Sequence, residues 1–193
     1  MPGIVGIVLA GGAGRRMGGV DKAALVVGGV TLLDRVLGAA RPVCDRLVVV
    51  GPRRPTTVAG VTFVTENEPG GGPGAAVAAG LEAAPGAGVV LVLAADLPLL
   101  TAVHLRDLLG ALDATGAEAA AASDEGGPNP LLAAYAGPAL VARAGTLRAG
   151  ARAGALLPPD VVAVDLGRAT LNVNRPEDLA AAERLAAAPG DAG

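Results

Sequence analysis

The sequence predicts an α/β domain: a mostly parallel sheet with helices layered against it. Two observations carry the prediction. Short Val- and Leu-rich runs alternate with Ala-rich stretches of helical length along the chain, the pattern of parallel strands joined by crossover helices. The run 89–94 is apolar throughout, as a central strand buried on both faces must be. In chain order the strands are expected near 4–9, 46–50, 61–64, 89–94, 117–122, 130–135 and 160–164. The intervening helices are expected near 31–40, 73–84, 101–113, 138–149 and 176–187. Thr31 and Thr101 stand where a hydroxyl can cap the first and third helices, and Pro73, Pro138 and Pro176 suit the first turn of the other three. Glu177 and Asp178 add negative charge where the last helix's dipole favours it. No linker divides the chain and no repeat of 20–50 residues is visible. Residues 1–188 therefore read as one domain, and the tail 189–193 (Pro-Gly-Asp-Ala-Gly) as disordered.

At 193 residues the chain can bury a full core. With aromatics at 1% and no tryptophan, that core must be built from Val, Leu, Ile and Ala. The apolar runs are too short to span a membrane, and the start lacks a basic leader and cleavage site, so a cytoplasmic protein is expected. The single cysteine, Cys44, cannot close an internal disulfide and has no histidine near it in sequence to activate it. A net charge of −3 and the lack of a basic stretch mixed with aromatics argue against nucleic-acid binding. Arg53 and Arg54 read as a solvated loop, Tyr135 as a strand residue, and His104 as lying on the exposed first turn of a helix.

Chemistry concentrates after the first strand. Lys22 is the chain's one lysine among 15 Lys and Arg residues, and it ends the glycine-rich run from Leu9-Ala10-Gly11-Gly12. Arginine and lysine exchange freely on a solvated surface but not where a compact ammonium must reach one phosphate oxygen. A Gly-rich turn after a parallel strand lets backbone N–H groups approach phosphates. The P-loop pattern fails here, because Val20 stands where its lysine belongs. The dinucleotide fingerprint fails too, for want of its third glycine after Gly12-Ala13-Gly14. Asp21 reads either as orienting Lys22 or as touching the nucleotide, and Arg15 as a solvated neighbour of Arg16. The segment 123–130 has the composition of a mobile substrate loop.

The full run, Leu-Ala-Gly-Gly-x-x-x-Arg-Met-Gly-Gly-x-Asp-Lys-x-x-Leu over residues 9–25, resembles the signature of the molybdenum cofactor guanylyltransferases. Ala95-Asp96-Leu97-Pro98, Ala149-Gly150-Ala151-Arg152 and Asn172-Val173-Asn174-Arg175-Pro176-Glu177-Asp178-Leu179 match further segments in the same order. The resemblance covers about the whole chain and implies a single three-layer, Rossmann-like nucleotidyltransferase domain. It implies that Leu9, Ala10, Gly11 and Gly12 line the nucleotide through their backbone, and that Arg16 and Lys22 lie against the triphosphate. Asp96 would hold Mg²⁺ at the end of its strand, and Arg16, Lys22 and Asp96 would form the catalytic set. Gly72 and Pro73 would open a helix beside the nucleotide. Asn129, Arg152, Asn172 and Asn174 would face the second substrate, Asn172 and Asn174 alternatively completing the metal site. Three departures stand out. Gly51 replaces a frequent asparagine and leaves only a backbone group for the nucleotide. Glu66 stands for an expected aspartate, one methylene longer. Gly-Ala-Arg at 150–152 replaces Gly-Glu-Arg.

The activity so implied is Mg²⁺-dependent transfer of GMP from GTP to molybdopterin. Molybdenum-insertion proteins and molybdoenzyme chaperones are its implied partners, and a monomer is the expected state. Alternatives left open are a cytidylyltransferase for the same cofactor, a nucleotidyltransferase for another phosphorylated metabolite, and a GTP-binding partner protein without turnover.

Overall fold

A computed structural model describes residues 3–11, 20–66, 71–124, 126–148 and 150–187. Its strands are β1 (Ile4–Leu9), β2 (Val26–Val27), β3 (Val30–Thr31), β4 (Arg46–Val50), β5 (Val61–Val64), β6 (Val89–Ala94), β7 (Ala119–Asp124), β8 (Gly127–Ala136) and β9 (Val162–Asp165). Its helices are α1 (Leu32–Ala40), α2 (Gly72–Ala83), α3 (Ala102–Thr115), α4 (Gly137–Ala144) and α5 (Pro176–Ala187). Seven strands form one sheet in the order β5-β4-β1-β6-β8-β7-β9, and β2 and β3 form a separate hairpin. β8 runs antiparallel to both neighbours, while the remaining pairs in the large sheet are parallel.

Period-two alternation divides the core. In β6, Leu91 and Leu93 join α1 and α3 residues such as Leu33, Leu37, Leu105 and Leu108. Val90 and Val92 point the other way, to Val77 and Leu81 of α2 and Leu140 of α4. Three layers result, with strand side chains packed on both faces. The largest side chain in the second layer is Tyr135, 2% exposed, whose hydroxyl donates to the Pro130 carbonyl at 2.9 Å. A third, small cluster has Val27, Leu32, Val173 and Ala182 at its centre. It packs α5 on the β2–β3 hairpin rather than on the sheet.

The capping expectations are met in detail. Thr31 accepts from the Asp34 N–H at 3.1 Å. Thr101 and His104 form a reciprocal cap at the start of α3, with the His104 Nδ1 accepting from the Thr101 N–H at 3.2 Å. Asp178 does more than complement the dipole. Its carboxylate accepts from the N–H groups of Asn174 and Arg175, both at 2.8 Å, and so fixes the chain entering α5.

The structure corrects several sequence expectations. The hairpin β2–β3 was not anticipated; two-residue strands carry too little periodicity to read. The expected helix 138–149 stops at Ala144, because Gly145 caps it. The expected loop 123–130 is mostly strand. Asp124 pairs with Gly127, and its carboxylate accepts from the Gly126 N–H at 2.7 Å. Pro128 and Pro130 are tolerated in β8 because its pairing with β6 begins only at Leu132. Neither Arg53 nor Arg54 is simply solvated: Arg53 lies 5.7 Å over the Phe63 ring, and Arg54 pairs with Asp21. The tail 189–193 lies outside the described residues.

Leu91 is fully buried at the centre of the sheet. Leu91→Ala should lower the unfolding free energy by about 2–5 kcal/mol, read as a reduced urea midpoint at an unchanged m-value.

Candidate active site

The sheet opens a cleft at the carboxyl ends of β1 and β6. These adjacent parallel strands lie where the chain, having added β4 and β5 on one side of β1, crosses to the other. A crevice forms at such a switch point because the two connections leave in opposite directions. The cleft has a volume of about 720 Å³ and is lined from β1 by Leu9, Ala10 and Gly11, and from β6 by Ala94, Ala95 and Asp96. Asp21 and Lys22 contribute from the segment before the hairpin, Glu66 from beyond β5, and Gly72, Pro73 and Ala76 from α2. Asn129 and Leu131 of β8 and the pair Asn172 and Asn174 complete it.

Three distant segments meet on one ammonium. Lys22 Nζ lies 3.3 Å from Asp96 Oδ2 and donates to Asn174 Oδ1 at 2.7 Å. The 172–174 segment is held there by two bonds outside the cleft: the Val173 N–H donates to the Asp96 carbonyl at 3.0 Å, and Asp178 caps Asn174. Burial pushes the Asp96 carboxyl above the ordinary aspartate range, while the Lys22 ammonium and a backbone hydrogen bond pull against that rise. Asp96 Oδ2 and Asn174 Oδ1 are hard oxygen donors already converging on a cation, so the pair fits Mg²⁺. That ion takes one or two protein carboxylates and leaves its remaining positions to phosphates and water.

Glu66 presents a different chemistry. Its Oε2 is buried and has no hydrogen-bond partner among the described residues. Its Oε1 lies beside Gly11, 3.6 Å from where a Cβ would stand. A buried carboxylate oxygen without a donor costs free energy unless a ligand supplies one.

Most of the expected site residues meet in this cleft, with four exceptions. Gly51 lies beneath the lining rather than in it. At φ +147°, a Cβ there would come within 2.8–2.9 Å of the Ala10 and Gly11 backbone, so glycine lets the two loops touch. Arg152 is exposed and is not among the lining residues. Its neighbours still contribute, since Gly150 donates to the Gly71 carbonyl at 2.9 Å and braces the start of α2. Gly12 and Arg16 lie outside the described residues. Asn129 is in the lining, with its Oδ1 accepting from the Leu131 N–H at 2.9 Å. Asn172 donates to the Thr170 carbonyl at 3.1 Å. Asp21 does not orient Lys22 through a direct bond; its carboxylate goes to Arg54. Sequence reasoning missed Arg54, which no spacing rule connects to a residue 33 positions away. Cys44 is buried, and its thiol is pushed up to about 12, which leaves it without nucleophilic character.

Residues 6–162 match the family profile described as the MobA-like NTP transferase domain. The chain is 36% identical over 199 residues to the molybdenum cofactor guanylyltransferase of Cereibacter sphaeroides, covering 94% of this chain and 96% of that protein. It is 40% identical over 116 residues to the enzyme of that name from Nitrobacter hamburgensis, a match to 56% of this chain and about half (54%) of that one. Among solved structures, molybdopterin-guanine dinucleotide biosynthesis protein A from Archaeoglobus fulgidus superposes with a TM-score of 0.73 at 25% identity, covering 94% and 98% of the two chains. The 2-C-methyl-D-erythritol 4-phosphate cytidylyltransferase of Thermus thermophilus shares the fold, with a TM-score of 0.68 at 23% identity and coverage of 93% and 97%.

Two outcomes are expected from the site geometry. Lys22→Met removes the charge that lowers the Asp96 carboxyl, so its midpoint should move to still higher pH in metal-free, nucleotide-free protein. A ¹³C-carboxyl titration reads this, and a midpoint equal to or below the parent's contradicts it. In the parent the folded form holds that proton more tightly than the unfolded chain. Ionising Asp96 therefore costs stability as pH rises through its folded value. Gly51→Ala should displace the Ala10–Gly11 backbone and weaken nucleotide binding, seen by calorimetric titration.

Proposed function

The chain belongs to the family of MobA-like NTP transferase domains and is a nucleotidyltransferase; from that premise we propose that it transfers GMP from GTP to the terminal phosphate of molybdopterin, with Mg²⁺, releasing pyrophosphate. The observation that carries the choice of base is the Glu66 oxygen in the cleft wall that has no hydrogen-bond partner among the described residues. Guanine offers adjacent N1–H and N2–H donors on its Watson–Crick edge, which suit a carboxylate with an unfilled acceptor. Cytosine offers one donor there, its N4 amino group, beside acceptors at N3 and O2 that a carboxylate repels, so it cannot match guanine's adjacent pair of donors. The name borne by the full-length relative from Cereibacter sphaeroides supports the same base and the same cofactor.

In this reading an oxygen of the pterin's phosphate attacks the α-phosphorus of GTP. A new P–O bond forms, the bond from Pα to the bridging oxygen breaks, and the electron pair leaves with pyrophosphate. The attacking phosphate monoester has a second pKa of about 6 and is already anionic at neutral pH, so the protein need supply no base. Its task is alignment and charge neutralisation. The loop backbone at Leu9, Ala10 and Gly11 would bind the nucleoside, and Lys22 would turn its ammonium to the triphosphate, with Arg16 as a second cation. Asp96 and Asn174 would hold Mg²⁺, which supplies further positive charge against the phosphates. Asn172 and Asn129, which also line the cleft, would face the acceptor.

Pyrophosphate release tests the reading, with molybdopterin and each of GTP, CTP, ATP and UTP offered separately. Release is expected with GTP and should fall about 100-fold or more in Lys22→Ala and in Asp96→Ala. Release with CTP in place of GTP would keep the chemistry and overturn the base. No release with any nucleotide would overturn the acceptor or the activity. Glu66→Gln turns one acceptor into a donor and should reduce the preference for GTP over CTP about tenfold or more.

A further inference from the structure

We propose that Arg54 is a positioning residue for nucleotide binding: it holds Asp21 and, through it, the turn that aims Lys22 into the cleft. Arg54 Nε donates to Asp21 Oδ2 at 2.6 Å and Nη2 donates to Oδ1 at 2.9 Å, a two-pronged grip that fixes orientation as well as distance. Nη1 donates to the Pro52 carbonyl at 2.9 Å. All three guanidinium nitrogens are engaged, and the side chain is 14% exposed.

The segment carrying Arg54 is itself anchored. Gly51 donates its N–H to the Val64 carbonyl at 2.8 Å. Five residues on, the buried carboxylate of Asp34 on α1 accepts from the hydroxyls of Thr56 and Thr57. Arg54 is thus held at both sides on the rigid core, whereas among the described residues the Asp21 side chain bonds to Arg54 alone. Asp21 stands immediately before the short 3-10 turn at Lys22–Ala24, whose Ala24 N–H donates to its carbonyl at 3.1 Å. Its carboxylate makes no capping bond to that turn. The Asp21–Arg54 pair is therefore the side-chain tie between Lys22's turn and the β4–β5 connection.

The pair has a second consequence. Asp21 lines the cleft with a side chain 46% exposed. Unpaired, it would present a negative charge to a polyanionic nucleotide and to the acceptor phosphate. Bound by Arg54, it contributes geometry without that repulsion. This role rests on the nucleotide reading above, but it can be tested separately.

Lys22 is the chain's one lysine, so protein labelled with [¹³Cε]lysine gives a single side-chain signal. In the absence of nucleotide, Arg54→Ala should move that signal toward the position of a free, mobile lysine, while Arg54→Lys, which adds a second lysine signal of its own, should move that of Lys22 less. With nucleotide, Arg54→Ala should raise the Kd and KM for the triphosphate about three- to tenfold and change kcat less. Asp21→Asn added to Arg54→Ala should recover part of that loss, because the exposed anion is gone. A melting curve close to the parent's separates these effects from misfolding. An unmoved lysine signal in a folded Arg54→Ala protein overturns the proposal whatever the nucleotide data show. A double variant no better than Arg54→Ala also overturns it and points to direct contact of Arg54 with the nucleotide. If the parent binds no triphosphate while the lysine signal moves as expected, the nucleotide reading fails and the tie itself stands.

Discussion

The Lys22 ammonium reaches Asp96 and Asn174, residues 74 and 152 positions further along the chain. The three come from the glycine-rich end of β1, the end of β6, and the segment that leads into α5. Each is delivered by a different part of the fold. Parallel pairing of β1 with β6 sets Leu9 beside Ala94, so the loops that follow them emerge side by side. The Val173 N–H then binds the carbonyl of Asp96 itself, which ties the third segment to the second. Much of the surrounding architecture, from the hairpin to the cap on α5, can be understood as holding these three approaches in register.

Those supports follow a graded order of rigidity. Asp96 grows out of a strand paired on both sides along its length, and Asn174 out of a segment capped by Asp178 and packed through Val173. Lys22 stands on one short 3-10 turn, between Val20 and a two-residue strand. Of the three, the residue proposed to serve a bound nucleotide stands on the shortest element. The two acceptors, which define where a cation can sit, are the most constrained. That division suits a site in which the positive charge must change partners while the negative wall stays fixed.

Legibility in the sequence followed locality. The strands at 4–9, 46–50, 61–64 and 89–94 were readable to the residue, because an apolar run bounded by Gly, Arg or Pro leaves few other solutions. Helix starts were readable because capping is a matter of three or four consecutive residues. Lys22, Asp96 and the Asn172–Asn174 pair were legible from composition and motif. What escaped was long-range polar pairing. Asp21 looked like a partner for its neighbour Lys22, yet its carboxylate crosses to Arg54 in a connection that read as mere surface. The antiparallel hairpin at β7–β8 was masked by its Pro-Asn-Pro composition, which signals a loop unless one knows where the neighbouring strand begins to pair. Arg152 carries a family-like motif but stays outside the cleft, so the segment's contribution here is the backbone brace at Gly150.

The near absence of aromatic side chains has a practical side. With one tyrosine and no tryptophan, the emission excited at wavelengths beyond the phenylalanine absorption comes from Tyr135. That ring is buried in the sheet, and its hydroxyl is bound to Pro130, one residue from Asn129 at the cleft edge. The native chain thus carries a built-in optical probe of a single location. Its signal follows the hairpin that supplies Asn129 and Leu131 to the cleft, with no label introduced and no tryptophan to subtract.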